Sequence, residues 1–98
     1  MSDPQQLDAP FFERSNAYIK LANEQTDSAE RGAVTASLMF ASARYNVFVA
    51  AVSFRTPAEL EARRQEIVDY YAQQYRAMLE EHMKDHVANF SNYIRPPG

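Results

Sequence analysis

Apolar side chains recur every three to four residues through most of this chain, the spacing of a helix that lays one face on a core. Phe11, Phe12, Ser15, Tyr18, Ile19 and Ala22 keep that rhythm, with Glu13, Asn16, Lys20, Asn23 and Glu24 on the wetter side. Ahead of the run, Asp8 offers a carboxylate to the first free backbone amides, and Pro10 sits in the first turn, where its missing N–H does no harm. The pattern predicts a first helix over about 8–26. "TDSAERGA", residues 26–33, is the only strongly polar break before the next apolar run, and with its glycine it reads as a helix-to-helix connection.

A second helix is predicted over about 34–54, and it is apolar almost all round. Val34, Leu38, Ala41, Tyr45, Phe48 and Val52 form one face, and Met39, Ala43, Val47, Ala50 and Phe54 another, so it needs cover on more than one side. A stretch of this length is at the lower limit for crossing a bilayer. Arg44 would then lie near the bilayer centre, where it costs about 2.5–3.5 kcal/mol, and flanking aromatic and basic anchors are missing. The expectation is therefore a buried helix of a soluble domain. Ala33, Ser37 and Ala41 form a ridge of small residues along which a neighbouring helix can approach, and Arg44 either reaches the domain edge or pairs with a carboxylate such as Asp69.

"RTPAELEARR", from Arg55, carries the clearest local signal: Thr56 as cap, Pro57 at the first helical position and Glu59 reaching back. From there to Ser91 there is neither glycine nor proline. Leu60, Ile67, Tyr71, Tyr75, Met78, His82, His86 and Phe90 recur on one drifting stripe, so one long helix is predicted over 57–91, stopped by Arg95, Pro96, Pro97 and Gly98. The expected architecture is a single all-α domain over 1–98, a three-helix antiparallel bundle with a long C-terminal helix and flexible ends at 1–7 and 95–98.

Length sets the next expectation. At 1.5 Å per residue the first two helices measure about 30 Å each and an unbroken third about 50 Å. Leu79, Met83, Val87, Phe90 and Ile94 then project past the other two, and each large apolar side chain left wet forgoes about 1.5–3 kcal/mol. With no breaker to license a kink, the economical cover is a second copy of the chain, so these five residues are the expected interface of a homodimer.

Composition narrows the function classes. With 98 residues, the chain supports one modest core. Ten basic and thirteen acidic residues give a net charge of -3 with no block of either sign, which argues against nucleic acid and anionic membrane surfaces as partners. There is no cysteine for a disulfide, thiol nucleophile or thiolate metal cage. Met1 to Pro10 carries no basic start and no apolar run, so the expected location is the cytoplasm. Only two glycines occur and no Asn-Gly or Asp-Gly turn, which leaves strands nowhere to reverse.

Candidate chemistry is thin. His82 and His86 in "EEHMKDHVANF" are four residues apart and share a helix face, the one spacing that invites a metal, with Glu81, Asp85 and Asp69 as oxygen donors. The bland alternative places both imidazoles at the stripe's edge, donating to nearby carboxylates. No third histidine exists, nor a His-Glu-x-x-His or Glu-x-x-His motif. Tyr70, Tyr71 and Tyr75 fit core packing better than acid catalysis. No nucleophile motif and no phosphate-cradling glycine loop is present, so no catalytic residue and no cofactor is expected.

"FFERSNAYIKLANEQ", "VTASLMFASARYNVFVAA" and "VDYYAQQYRAMLEEHMKDHVANF" together resemble a family of short bacterial all-helical proteins known only as a domain of unknown function. The likeness runs over roughly 11–93 and is most specific at "ASARYNVFVAA". It implies a small cytosolic bacterial helical protein and supplies no activity, cofactor or site residue. The expected role is a non-enzymatic interaction module acting as a homodimer, able to present an apolar groove to another protein's helix. The alternative is a metal or small-ligand site at the dimer seam built on His82 and His86. A helix-turn-helix DNA reader is disfavoured, because the second helix is apolar and the third is mixed in charge with acidic residues throughout.

Overall fold

The computed structural model of the protein describes residues 8–94, and every regular element in them is a helix: α1 (Ala9–Gln25), α2 (Arg31–Ala51), α3 (Pro57–Ala62), α4 (Arg64–Ala88) and α5 (Phe90–Tyr93). The expected flexible ends, 1–7 and 95–98, lie outside the described residues. The chain groups into two compact units that divide between Tyr45 and Asn46, within α2.

In the first unit, α1 starts where Asp8 Oδ1 accepts from the Phe11 amide at 2.9 Å, with Pro10 in the first turn. Phe11, Ser15 and Ala22 are half-buried along one side of α1, while Phe12, Tyr18, Ile19 and Leu21 are exposed. Phe11 and Phe12 meet edge to face with ring centroids 5.4 Å apart. After α1 the chain turns through residues 26–30, where i→i+3 bonds such as Thr26 N to Asn23 O and Ser28 N to Gln25 O take up otherwise orphaned carbonyls.

α2 begins at Arg31, three residues earlier than the sequence pattern predicts, because Glu30 O already accepts from the Val34 amide. Gly32 therefore lies inside the first helical turn rather than in the connection. A Cβ added there meets nothing within 4 Å. Gly32→Ala is accordingly expected to stabilise the fold by about 0.5–1 kcal/mol, since alanine loses less backbone freedom on folding, and a thermal melt followed by circular dichroism reads it as a rise of a few degrees. A lower midpoint would mean that the first turn is not helical in solution.

In the second unit α2 ends at Ala51 instead of near Phe54, as the backbone tightens into i→i+3 bonds from Ser53 to Ala50 and from Phe54 to Ala51. The tightening delivers Thr56 in extended conformation to the start of α3. There the capping box is complete: Glu59 N donates to Thr56 Oγ1 at 3.2 Å, and Arg55 N donates to Glu59 Oε2 at 3.0 Å.

The long third helix expected over 57–91 is interrupted twice. At Arg63 the backbone leaves the helical region (φ -105°, ψ 4°) and the Arg63 amide bonds back to Leu60 O. Two exposed ion pairs flank the break, Arg63–Glu66 at 2.6 Å and Arg64–Glu61 at 2.7 Å, both at the i, i+3 spacing that a tighter turn draws together. At Asn89 (φ -121°, ψ 34°) the side chain competes with the helix for backbone partners, its Nδ2 donating to Asp85 O at 3.3 Å and Asp85 Oδ1 at 2.8 Å. Neither break needs glycine or proline, the only breakers sought in the sequence.

Among the described residues the buried apolar side chains are Val34 and Ala50, 7% and 8% exposed, and no fully buried large side chain is present. Helices that carry this many apolar residues ordinarily close a core around them.

Candidate functional site

Leu79, Met83 and Val87 project from α4 one turn apart, Phe90 opens α5, and Ile94 follows it in extended conformation. All five are exposed, from 47% for Leu79 and Ile94 to 73% for Val87. Beside them on α4, Val68, Tyr75 and Leu79 continue a stripe at helical spacing to His82 and His86, and each of these is exposed as well. The sequence expectation is an apolar tip from Leu79 onward that a second copy covers. The structure bends that tip at Asn89 but does not shelter its side chains.

The bend is held by one carboxylate. Asp85 Oδ2 accepts from the Tyr93 hydroxyl at 2.5 Å, Oδ1 accepts from Asn89 Nδ2, and its backbone carbonyl takes the Asn89 amide at 2.9 Å. In an unbroken helix eight residues advance about 12 Å, so the turn at Asn89 is what returns Tyr93 to Asp85. The Tyr93 ring stacks on His86 with centroids 4.0 Å apart and planes 15° from parallel. His86 Nδ1 lies 2.9 Å from His82 O; a carbonyl only accepts, so the hydrogen is on Nδ1.

These contacts set the titration of the clasp. Hydrogen bonds from Tyr93 and then Asn89 hold the Asp85 carboxyl below its ordinary range, and His86 and His82 add to this when charged. Donation to Asp85, followed by the proximity of its charge, pushes the Tyr93 phenol up. The depressed carboxyl contributes at pH above the ordinary carboxylate range, and that contribution is lost as pH falls through its folded value. The raised phenol contributes below about pH 10, and that contribution is lost as pH rises through its folded value. In a phenolate absorbance titration, wild type minus Tyr93→Phe is therefore expected to show one tyrosine ionising late, and Asp85→Asn to return it to the ordinary range. A difference curve centred at the ordinary value would show the clasp open in solution.

The metal reading gains no donors from this arrangement. His86 turns one nitrogen to its own helix, Asp85 is occupied by Tyr93 and Asn89, and among the described residues no three His, Asp or Glu side chains gather as a metal would require. For His86 the expected carboxylate partner is replaced by a backbone carbonyl and a ring face. Asp69 accepts from Gln65 Nε2 at 2.9 Å, while Arg44 is exposed. Tyr70 and Tyr71 are half-buried and meet edge to face at 5.1 Å, a packing role, and Tyr75 is exposed. A depression lined by Thr26, Ser28, Ala29, Glu30, Arg31 and Gly32 is open to solvent and gathers no set of catalytic groups. Among the described residues no helix is long and apolar enough to cross a membrane. What sequence reasoning missed is the Asp85, Asn89 and Tyr93 clasp; its one visible trace is an asparagine four residues after an aspartate near a helix end.

Comparison with known proteins agrees with the helical reading. The family model described as "Protein of unknown function (DUF3144)" matches residues 11–87. The chain is similar to protein NB7890A from Shewanella sp, whose structure was solved by NMR, with 40% sequence identity, a TM-score of 0.75, and coverage of 88% of this chain and 92% of that one. No curated protein matches it.

Proposed function

We propose, for a chain that belongs to the DUF3144 family of proteins of unknown function, the role of a non-enzymatic helical interaction module that works as a homodimer. The observation that carries this reading is the exposure of Leu79, Met83, Val87, Phe90 and Ile94 together, in a chain whose buried apolar residues among those described are only Val34 and Ala50, both on α2. Contiguous apolar surface of this kind on a water-facing helix is the usual mark of a protein contact. In this reading the three-helix antiparallel bundle with a long C-terminal element, expected from the sequence, is completed by the second copy. The cytoplasm is the proposed setting, and another protein's amphipathic helix is the proposed client of any part of the apolar face that the dimer leaves open.

The test is the mass of the native chain in solution. Size-exclusion chromatography with light scattering at micromolar concentration is expected to return twice the 11.2 kDa of one chain, and Val87→Asp to return one chain. A wild-type protein that runs as a monomer at that concentration removes the reading.

A further inference from the structure

We propose that the face of α2 centred on Arg44 docks on α4 of a second copy, with the partner's Asp69 receiving the guanidinium. The proposal rests on the homodimer reading and names the faces that meet. Phe40 and Phe48, 72% and 60% exposed, stand one turn either side of Arg44. From Gly32 to Phe54 Arg44 is the only charged residue, and among the described residues it joins no ion pair. Among the described residues no helix is long and apolar enough to cross a membrane, and this apolar face is exposed. Its occupant needs an apolar stripe with one carboxylate at the edge.

α4 supplies that chemistry. Val68 and Leu79 are exposed on one stripe, and Asp69 lies at its margin. The other carboxylates of α4 are engaged or turned away. Glu66 pairs with Arg63, Glu80 pairs with Arg76 at 3.3 Å, Asp85 holds Tyr93 and Asn89, and Glu81 falls about 200° round the helix from Leu79. Asp69 has only the neutral Gln65 amide as partner, so one carboxylate oxygen is left for a cation. Area points the same way. The two phenylalanines leave on the order of 250 Å² of ring uncovered in each copy. A two-fold pair makes the α2-to-α4 contact twice, which brings the total within reach of the roughly 800 Å² per partner of a stable dimer.

A charge swap tests the proposal. Arg44→Glu places two carboxylates together and Asp69→Arg two cations, so each variant alone is expected to raise the dimer dissociation constant about 100-fold in sedimentation equilibrium. An equimolar mixture of the two is expected to restore the wild-type constant, because each copy then offers the other one matched pair at both contacts. The double variant in one chain is expected to restore it as well. Rescue by the double variant without rescue by the mixture would place the pair within one chain and overturn the proposal. Two single variants that dimerise like wild type would also overturn it, while leaving the homodimer reading intact. A wild-type monomer would remove both.

Discussion

Val87→Asp is expected to convert a micromolar dimer into a monomer that keeps its helical circular dichroism. In a lone chain Val87 is 73% exposed, and a surface substitution of that kind shifts stability by no more than about 0.5 kcal/mol. Under a second copy the same aspartate loses its water with no partner to replace it, a cost of several kcal/mol by the usual accounting for buried charge. The assembled state carries that cost twice, once for each copy. An association weakened by about 3 kcal/mol is roughly 150-fold weaker, enough to move a micromolar complex out of the populated range. Phe90→Asp adds loss of ring burial to the same penalty and is expected to act in the same direction. The substitution is nearly neutral if nothing covers the tip and severe if something does. A Val87→Asp protein that keeps the dimer mass would show that the tip is not the contact, whatever the oligomer.

Ala50→Asp is the second large expectation, and it reads folding rather than association. Ala50 is 8% exposed near the carboxyl end of α2, so an aspartate there adds volume in a packed place, brings a charge without a partner and opposes the helix dipole. All three effects have one sign, and together they are expected to cost about 3–5 kcal/mol. Small domains have about 5–15 kcal/mol of stability in total, so urea melts of this variant are expected to start near zero denaturant. Ala43→Asp, at an exposed position on the same helix, is the matched control and is expected to lose little beyond helix propensity. Equal losses at both positions would mean that Ala50 is not buried in solution.

Legibility in the sequence followed the range of the forces involved. The starts of α1 and α3 were readable because a capping side chain, a proline and the backbone amides they serve lie within four residues of one another. The start of α2 was misplaced because Gly32 looks like punctuation, whereas in the first turn of a helix its lack of a side chain is tolerable. The breaks at Arg63 and Asn89 escaped because they arise from backbone angles and from an asparagine amide bonding to Asp85, which leave no mark in hydrophobic periodicity. The tip residues were legible as an apolar group. Their exposure was not, because it depends on what else in the chain reaches them. The partner of Asp85 was out of reach for the same reason: Tyr93 comes into range only after the chain has turned at Asn89. The His82 and His86 pair shows the opposite case, where a suggestive spacing is given a local use, one imidazole tied to its own helix and stacked on a tyrosine.

The turn at Asn89 also bears on how the protein is handled. Ile94 leaves α5 in extended conformation immediately after the clasp, four residues past Phe90, so a fluorescent label coupled at Ile94 itself sits beside the tip. Such a label crowds the surface whose contacts it is meant to report. Labels are better carried on α1, at Lys20 or Glu24, which are exposed and lie on a different helix from the tip.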